Sequence, residues 1–128
     1  MKPPQCIVIV DDERSVRSGL SNLLQSEGYA TLVFDSAEAL LAEDRLLAAA
    51  VFFIIDINLK GMSGFELFIE LTRRKANLQV ILISGQGDES MLWYAISLGA
   101  LAFLRKPIDI DTLFGHIHNE FSSRDTPP

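Results

Sequence analysis

Cys6-Ile7-Val8-Ile9-Val10-Asp11-Asp12 and Val51-Phe52-Phe53-Ile54-Ile55-Asp56 are two short, almost wholly apolar runs, each of which ends in aspartate. Short runs that stay apolar without alternation read as strands buried on both faces, the pattern of a parallel sheet covered by helices on either side. Open parallel α/β sheets bind ligands at the carboxyl ends of their strands. If the two strands are neighbours, Asp11, Asp12 and Asp56 converge on one point. Like charges so close require a cation between them or raised pKa values. Two later runs end in complementary chemistry: Val80-Ile81-Leu82-Ile83 precedes Ser84, and Leu101-Ala102-Phe103-Leu104-Arg105 precedes Lys106.

Working outward from these runs, strands are expected at 6–10, 30–34, 51–55, 80–83 and 101–104, alternating with helical patterns. This predicts repeated βα units and a doubly wound α/β domain with a five-stranded parallel sheet. The second strand, Ala30-Thr31-Leu32-Val33-Phe34, is less uniformly apolar and suits a place nearer an edge. The first helix, 13–27, carries Val16, Leu20, Leu23 and Leu24 on one stripe and closes at Gly28. A second, 36–46, starts at Ser36 and buries Ala37, Leu40 and Leu41. The third opens on Ser63-Gly64-Phe65-Glu66, which fits a capping box, and continues with Phe68, Ile69 and Leu71. The fourth follows the turn Gly85-Gln86-Gly87-Asp88 and ends at Gly99. The fifth, 109–121, carries Ile110, Leu113, Phe114, Ile117 and Phe121.

The chain has 128 residues, 48% of them hydrophobic, enough for one domain with a real core. No apolar run approaches the ~18 residues needed to span a bilayer. Met1-Lys2-Pro3-Pro4 enters a strand too soon for a secretory signal, so a cytoplasmic protein is expected. The one cysteine, Cys6, sits in a strand pattern, which makes it a core residue and excludes an internal disulfide. A net charge of −6 argues against nucleic-acid binding by this chain, and no membrane partner is indicated. Arg73-Arg74-Lys75 comes at a helix end, where cations suit the macrodipole and a solvated face. His116 and His118 lie two apart on a helix, share no face, and read as solvated residues and not as a metal pair. The polar, proline-containing stretch 122–128 reads as a disordered tail or truncated linker, leaving 1–121 as the domain.

The carboxylate group fits magnesium, which prefers octahedral oxygen coordination and is typically held by one or two carboxylates with a phosphate. In such a site a carboxylate acts as nucleophile on a phosphoryl group while the metal and an ammonium offset charge on the transferring oxygens. Lys106 would supply the ammonium and Ser84 a neutral hydrogen-bond donor. Aspartates also serve as helix N-caps after strands, which would explain Asp12 or Asp56 singly but not five such positions together.

Val10-Asp11-Asp12-Glu13, Ile55-Asp56-Ile57-Asn58 with Gly64 eight residues after Asp56, Ile83-Ser84-Gly85, and Gly99-Ala100 followed by Phe103-Leu104-Arg105-Lys106-Pro107 together resemble the receiver domain of two-component response regulators (CheY-like). The resemblance covers about residues 5–121. Ile83-Ser84-Gly85-Gln86-Gly87-Asp88 and Lys106-Pro107-Ile108 look most like the FixJ-like branch. The resemblance implies a (βα)5 flavodoxin-like receiver fold and a phosphorelay signalling role. Asp56 would be the phosphoacceptor, supplied by a sensor histidine kinase or phosphotransfer protein. Asp12, Asp56 and the Asn58 carbonyl would bind Mg²⁺, and Asp11 would hold metal-bound water. Ser84 would be the switch hydroxyl, Phe103 the switch aromatic and Lys106 the phosphate-binding lysine, with Lys106-Pro107 a candidate cis peptide. Lys60 stands where the family usually has proline and is followed by Gly61, which implies a looser loop after Asp56.

On the fourth helix Met91, Leu92, Ala95, Ile96 and Leu98 are expected to form the core arc, leaving Trp93 and Tyr94 partly exposed. An exposed aromatic pair marks an output or homodimer interface on the face of helix four, strand five and helix five, against the alternative of local packing on helix five or the last strand. Two other functions compete with a signalling switch that is not an enzyme on external metabolites. A small aspartate-nucleophile phosphohydrolase generally needs a second aspartate two residues after the nucleophile, where this chain has Asn58. A phosphorylation-independent binding module of the same fold would be marked by a broken acidic site, and this one is chemically complete.

Overall fold

The computed structural model describes residues 6–43, 45, 50, 52–75, 77–85 and 89–125. Five strands, β1 (Cys6–Val10), β2 (Ala30–Phe34), β3 (Phe52–Asp56), β4 (Gln79–Ser84) and β5 (Ala102–Arg105), form one sheet in the order β2-β1-β3-β4-β5, with every pairing parallel. The helices between and after them are α1 (Arg14–Ser26), α2 (Ala37–Leu41), α3 (Gly64–Arg74), α4 (Glu89–Leu98) and α5 (Ile110–Asp125). The chain moves from β1 outward to β2, then crosses back to β3 on the other side. β1 and β3 therefore flank the point where the strand order reverses, the usual crevice of an open α/β sheet.

Alternation along each strand divides the core between the two faces. Ile7, Ile9, Phe52, Ile54, Ile81 and Ile83 point to the face covered by Leu20 and Leu24 of α1 and Leu113, Ile117 and Phe121 of α5. Val8, Val10, Phe53, Ile55, Val80 and Leu82 point to the face covered by Ala37 and Leu40, by Leu67, Phe68 and Leu71, and by Ala95 of α2, α3 and α4. Full burial of side chains such as Phe52 and Phe53 contributes roughly 1.5–3 kcal/mol each. Because β1, β3 and β4 are covered on both sides, their runs are continuously apolar, whereas β2 lies at the sheet edge with Leu32 and Val33 exposed.

Several sequence expectations shift. β3 and β4 extend far enough that Asp56 and Ser84 are their last residues and not the first residues beyond them. α2 ends at Leu41, before the expected 46; residues 44 and 46–49 lie outside the described set, as do 86–88 of the expected turn before α4. α5 runs on to Asp125, past the expected end at 121. Leu23, Ile69 and Ile96, read as core on helical spacing, are exposed. Each sits on an apolar helix arc wider than the strip the sheet covers. Cys6 is half-buried, and burial pushes its thiol pKa up. Gly28 and Gly99 close α1 and α4 with φ of 92° and 95°, as a left-handed cap requires.

One contact fixes the start of α3 against the end of β3. Ser63 caps α3, its hydroxyl accepting from the Glu66 amide at 3.2 Å, and the Gly64 amide donates to the Ile57 carbonyl at 3.1 Å. A Cβ at Gly64 would stand 2.3 Å from the Asp56 carbonyl oxygen and 2.6 Å from Ile57 Cα. Both are backbone atoms of the site strand, so they cannot step aside without moving Asp56. Gly64→Ala is therefore expected to lose about 1–3 kcal/mol in urea unfolding; a loss below about 0.5 kcal/mol, the scale of a neutral surface change, would show that α3 does not press so closely on β3.

Candidate functional site

Strand register places the site. Val10 is opposite Ile55, so Asp11 and Asp56 leave adjacent strands side by side. Asp56 is opposite Ile83 and Ser84 is opposite Arg105, which brings Ser84 and Lys106 to the same sheet end. Carboxylate oxygens of Asp11, Asp12 and Asp56 lie within 4.8 Å of one another. Asp12, Glu13, Asp56, Asn58, Gly85 and Lys106 line a cleft of about 310 Å³ above them.

Lys106 is the cation of this cluster. Its Nζ lies 3.0 Å from Asp56 Oδ2, 2.9 Å from Glu13 Oε1 and 3.0 Å from Asp11 Oδ2. Desolvation acts against its charge, but hydrogen bonds to Glu13 and Asp56 and the neighbouring Asp11 carboxylate outweigh it and hold the ammonium pKa well above the usual lysine range. The Lys106-Pro107 bond is cis, as the resemblance implied, and the Lys106 amide donates to the Ser84 carbonyl at 2.8 Å.

The carboxylates are not equivalent. Asp11 is fully buried, and that burial raises its pKa, offset by the Glu13 amide and Lys106 and reinforced by the charge of Asp56. Its Oδ1 accepts from the Glu13 amide at 2.8 Å. Its Oδ2 is buried and, although within ion-pair distance of Lys106, has no hydrogen-bond donor aimed at it among the described residues. Asp56 is 2% exposed, with Oδ1 accepting from the Asn58 amide at 2.9 Å and Oδ2 from Lys106. Asp12 is half-buried at the cleft. A buried carboxylate oxygen without a donor, in a group of three acids, suits a hard cation with oxygen ligands. The site fits a divalent metal.

Ser84 is fully buried and accepts from Asn58 Nδ2 at 3.3 Å. Phe103 is half-buried, opposite Leu82 in register and packed on the same sheet face as the Val10 and Ile55 side chains. Trp93 is 61% exposed and Tyr94 46% exposed. Tyr94 packs edge-on against Phe65 of α3 at 4.8 Å, and Ile96, expected in the core arc, joins the exposed group.

Three contributors escaped the sequence reading. Glu13 was read only as part of a motif, yet it binds Lys106. Arg17, one turn into α1, donates to the Asp11 carbonyl at 2.7 Å and steadies the acidic turn. Glu38 of α2 reaches the loop after Asp56. His118 is exposed, as expected, and also shares a 2.5 Å hydrogen bond with the Tyr29 hydroxyl at the opposite end of the sheet. Arg73 and Arg74 meet Glu70 at the α3 end, in keeping with a solvated basic face.

A doubly wound sheet with an acid pocket and one lysine at its switch point delimits a narrow class of proteins. The family model for the response regulator receiver domain matches residues 7–118. The chain is 39% identical over 101 residues to the transcriptional regulatory protein FixJ of Azorhizobium caulinodans, covering 79% of this chain and 47% of that protein. It is similar to the solved response regulator StyR, with 34% identity, a TM-score of 0.81, and 91% of this chain and 59% of that one covered. It shares the fold of a CheY-like receiver domain protein from Methanospirillum hungatei JF-1, with a TM-score of 0.84 at 23% identity, covering 96% and 98%. The chain belongs to the response regulator receiver family and is the receiver domain of a two-component response regulator. The expected likeness to FixJ-like proteins holds, and the chain spans about half the length of the curated relatives it matches. No helix among the described residues is long and apolar enough to cross a membrane.

Among the described residues Lys106 pairs with Asp11, Glu13 and Asp56 and not with Asp12. Removing the Asp12 charge therefore relieves repulsion without breaking an ion pair. In metal-free buffer Asp12→Asn is expected to gain about 0.5–2 kcal/mol of stability, as relief of a strained functional site commonly does, and to melt a few degrees higher. A lower melting temperature would show that the Asp12 carboxylate is held by partners and not repelled.

Proposed function

We propose that Asp56 accepts a phosphoryl group from a sensor histidine kinase or phosphotransfer protein, and that this switches the α4–β5–α5 face for dimerisation or output. The reading is carried by one observation: Asp56 borders the cleft, sunk among acids, with one carboxylate oxygen on the Lys106 ammonium.

Asp12, Asp56 and the backbone carbonyl of Asn58 would hold Mg²⁺, with Asp11 binding its water. Bound there, Mg²⁺ would supply charge neutralisation for the incoming phosphoryl oxygens and for the acids themselves. Lys106 stays charged and is already in contact with Asp56, so it can follow the phosphoryl oxygens as the donor's phosphorus–nitrogen bond breaks and the Asp56 oxygen–phosphorus bond forms. The Asn58 amide fixes the Asp56 carboxylate so that it presents one orientation to the cleft.

The readout runs through Ser84. Its hydroxyl is buried beneath the cleft and accepts from Asn58 Nδ2 at 3.3 Å, and its own O–H would donate to a charged phosphoryl oxygen in a strong, charge-assisted bond. A shift of Ser84 toward that oxygen vacates space on the sheet face that Phe103 shares, and Phe103 turns inward beneath α4. Trp93 and Tyr94 would report that movement at the surface. On this account the domain assists only its own phosphorylation and dephosphorylation. It works in the cytoplasm without contacting nucleic acid or membrane, and the expected boundary at residue 121 gives way to the end of α5 at Asp125.

Acetyl phosphate with Mg²⁺, followed by mass-spectrometric mapping, is expected to place one phosphoryl group on Asp56 and none on Asp56→Asn. Emission from Trp93, the single tryptophan, is expected to change with the labelled fraction in wild type and much less in Ser84→Ala. Wild-type labelling of Asp56→Asn would overturn the assignment, and an equal Trp93 response in Ser84→Ala would remove Ser84 from the coupling.

A further inference from the structure

The loop that follows Asp56 is anchored from within by Ile57 and Leu59, both buried, and by the Gly64 amide on the Ile57 carbonyl. Its outer part, Lys60-Gly61-Met62, carries no proline, and Gly61 has a φ of 76° that a residue with a side chain would resist. By local sequence this stretch has little to hold its shape. Glu38 meets it from α2: its Oε2 accepts from the Met62 amide at 3.0 Å. The approach is close enough that a Cβ at Gly61 would stand 2.7 Å from the same oxygen. The Glu38 pKa is drawn below the usual glutamate range first by the Met62 amide and then by its own backbone amide at the start of the helix.

We propose that Glu38 is a positioning residue for the phosphoacceptor site, its carboxylate supplying from a neighbouring helix the restraint that the Lys60-Gly61 sequence lacks and so keeping the Asn58 carbonyl at the cleft. This rests on the reading of Asp56 and Asn58 given above. Asn58 lies between the inner anchors Ile57 and Leu59, and Met62 is the next point at which the loop is held from outside. With the Met62 amide released, residues 60–62 gain freedom, and Asn58, which lines the cleft two residues before them, loses part of the restraint on its backbone. Gly61 is needed because only a residue without a side chain leaves room for the carboxylate.

Two substitutions separate reach from charge. Glu38→Gln keeps an oxygen at the same distance without the charge. Glu38→Asp keeps the charge and a good helix-start residue but is one methylene too short to reach the Met62 amide. Glu38→Asp is expected to weaken Mg²⁺ binding by roughly five-fold, the effect of about one hydrogen bond. It should also speed Met62 amide exchange by a similar factor and change the half-life of the phosphoryl group on Asp56. Glu38→Gln is expected to stay within about two-fold of wild type in all three. Wild-type Mg²⁺ affinity and Met62 exchange in Glu38→Asp would overturn the proposal, as would Glu38→Gln matching Glu38→Asp, since charge and not reach would then be responsible. Failure of wild type itself to take a phosphoryl group would count against the Asp56 reading, while Mg²⁺ affinity and amide exchange would still decide the role of Glu38.

Discussion

The contact of one ammonium with three carboxylates, Lys106 with Asp11, Glu13 and Asp56, is the interaction around which the rest of the site is arranged. Two unit charges about 4 Å apart interact by about 4 kcal/mol at an effective dielectric of 20. Four acids at the cleft, counting Asp12, outnumber the lysine, and the Asp11 pKa rises accordingly under burial and the charge of Asp56. The site is thus stable enough to fold and short of positive charge. A divalent cation would offset most of the negative charge that Lys106 leaves, and so would let an anionic phosphoryl group approach.

That arrangement depends on the sheet. Parallel pairing of β1 with β3, of β3 with β4 and of β4 with β5 puts four strand ends at one edge, and burial of both faces fixes the register. A one-residue slip would turn each inward side chain to the opposite face. Gly64 completes the frame by letting α3 press against the carbonyl of Asp56 itself. The same sheet face carries Phe103 and the packing beneath α4, so on the proposed reading a change at Ser84 would be transmitted through packed side chains.

The architecture was legible because buried parallel strands write themselves as short apolar runs and because four of the five runs lead into the acids, the hydroxyl and the lysine that meet at the cleft. Asp11, Asp12, Asp56, Ser84 and Lys106 meet where that pattern placed them. Helix faces were less legible. Leu23, Ile69 and Ile96 share the spacing of core residues, and only the width of the sheet decides which of them it covers. Glu38 bonding Met62 and Tyr94 packing on Phe65 join elements far apart in sequence, and no local motif marks either contact. Lys60-Gly61 pointed to a loosened loop; the tether that restrains it comes from another helix and was invisible in the loop's own residues.

The central claim is that the acids at the β1 and β3 ends exceed what Lys106 can neutralise and so bind a divalent cation. Calorimetric titration of Mg²⁺ into wild type and Asp12→Ala tests it most directly, because Asp12 is the acid that Lys106 does not pair. The account predicts measurable binding in wild type and a loss of about ten-fold or more in the variant, since Mg²⁺ dehydrates reluctantly and needs its anionic ligands. Equal affinity in the two proteins would contradict it.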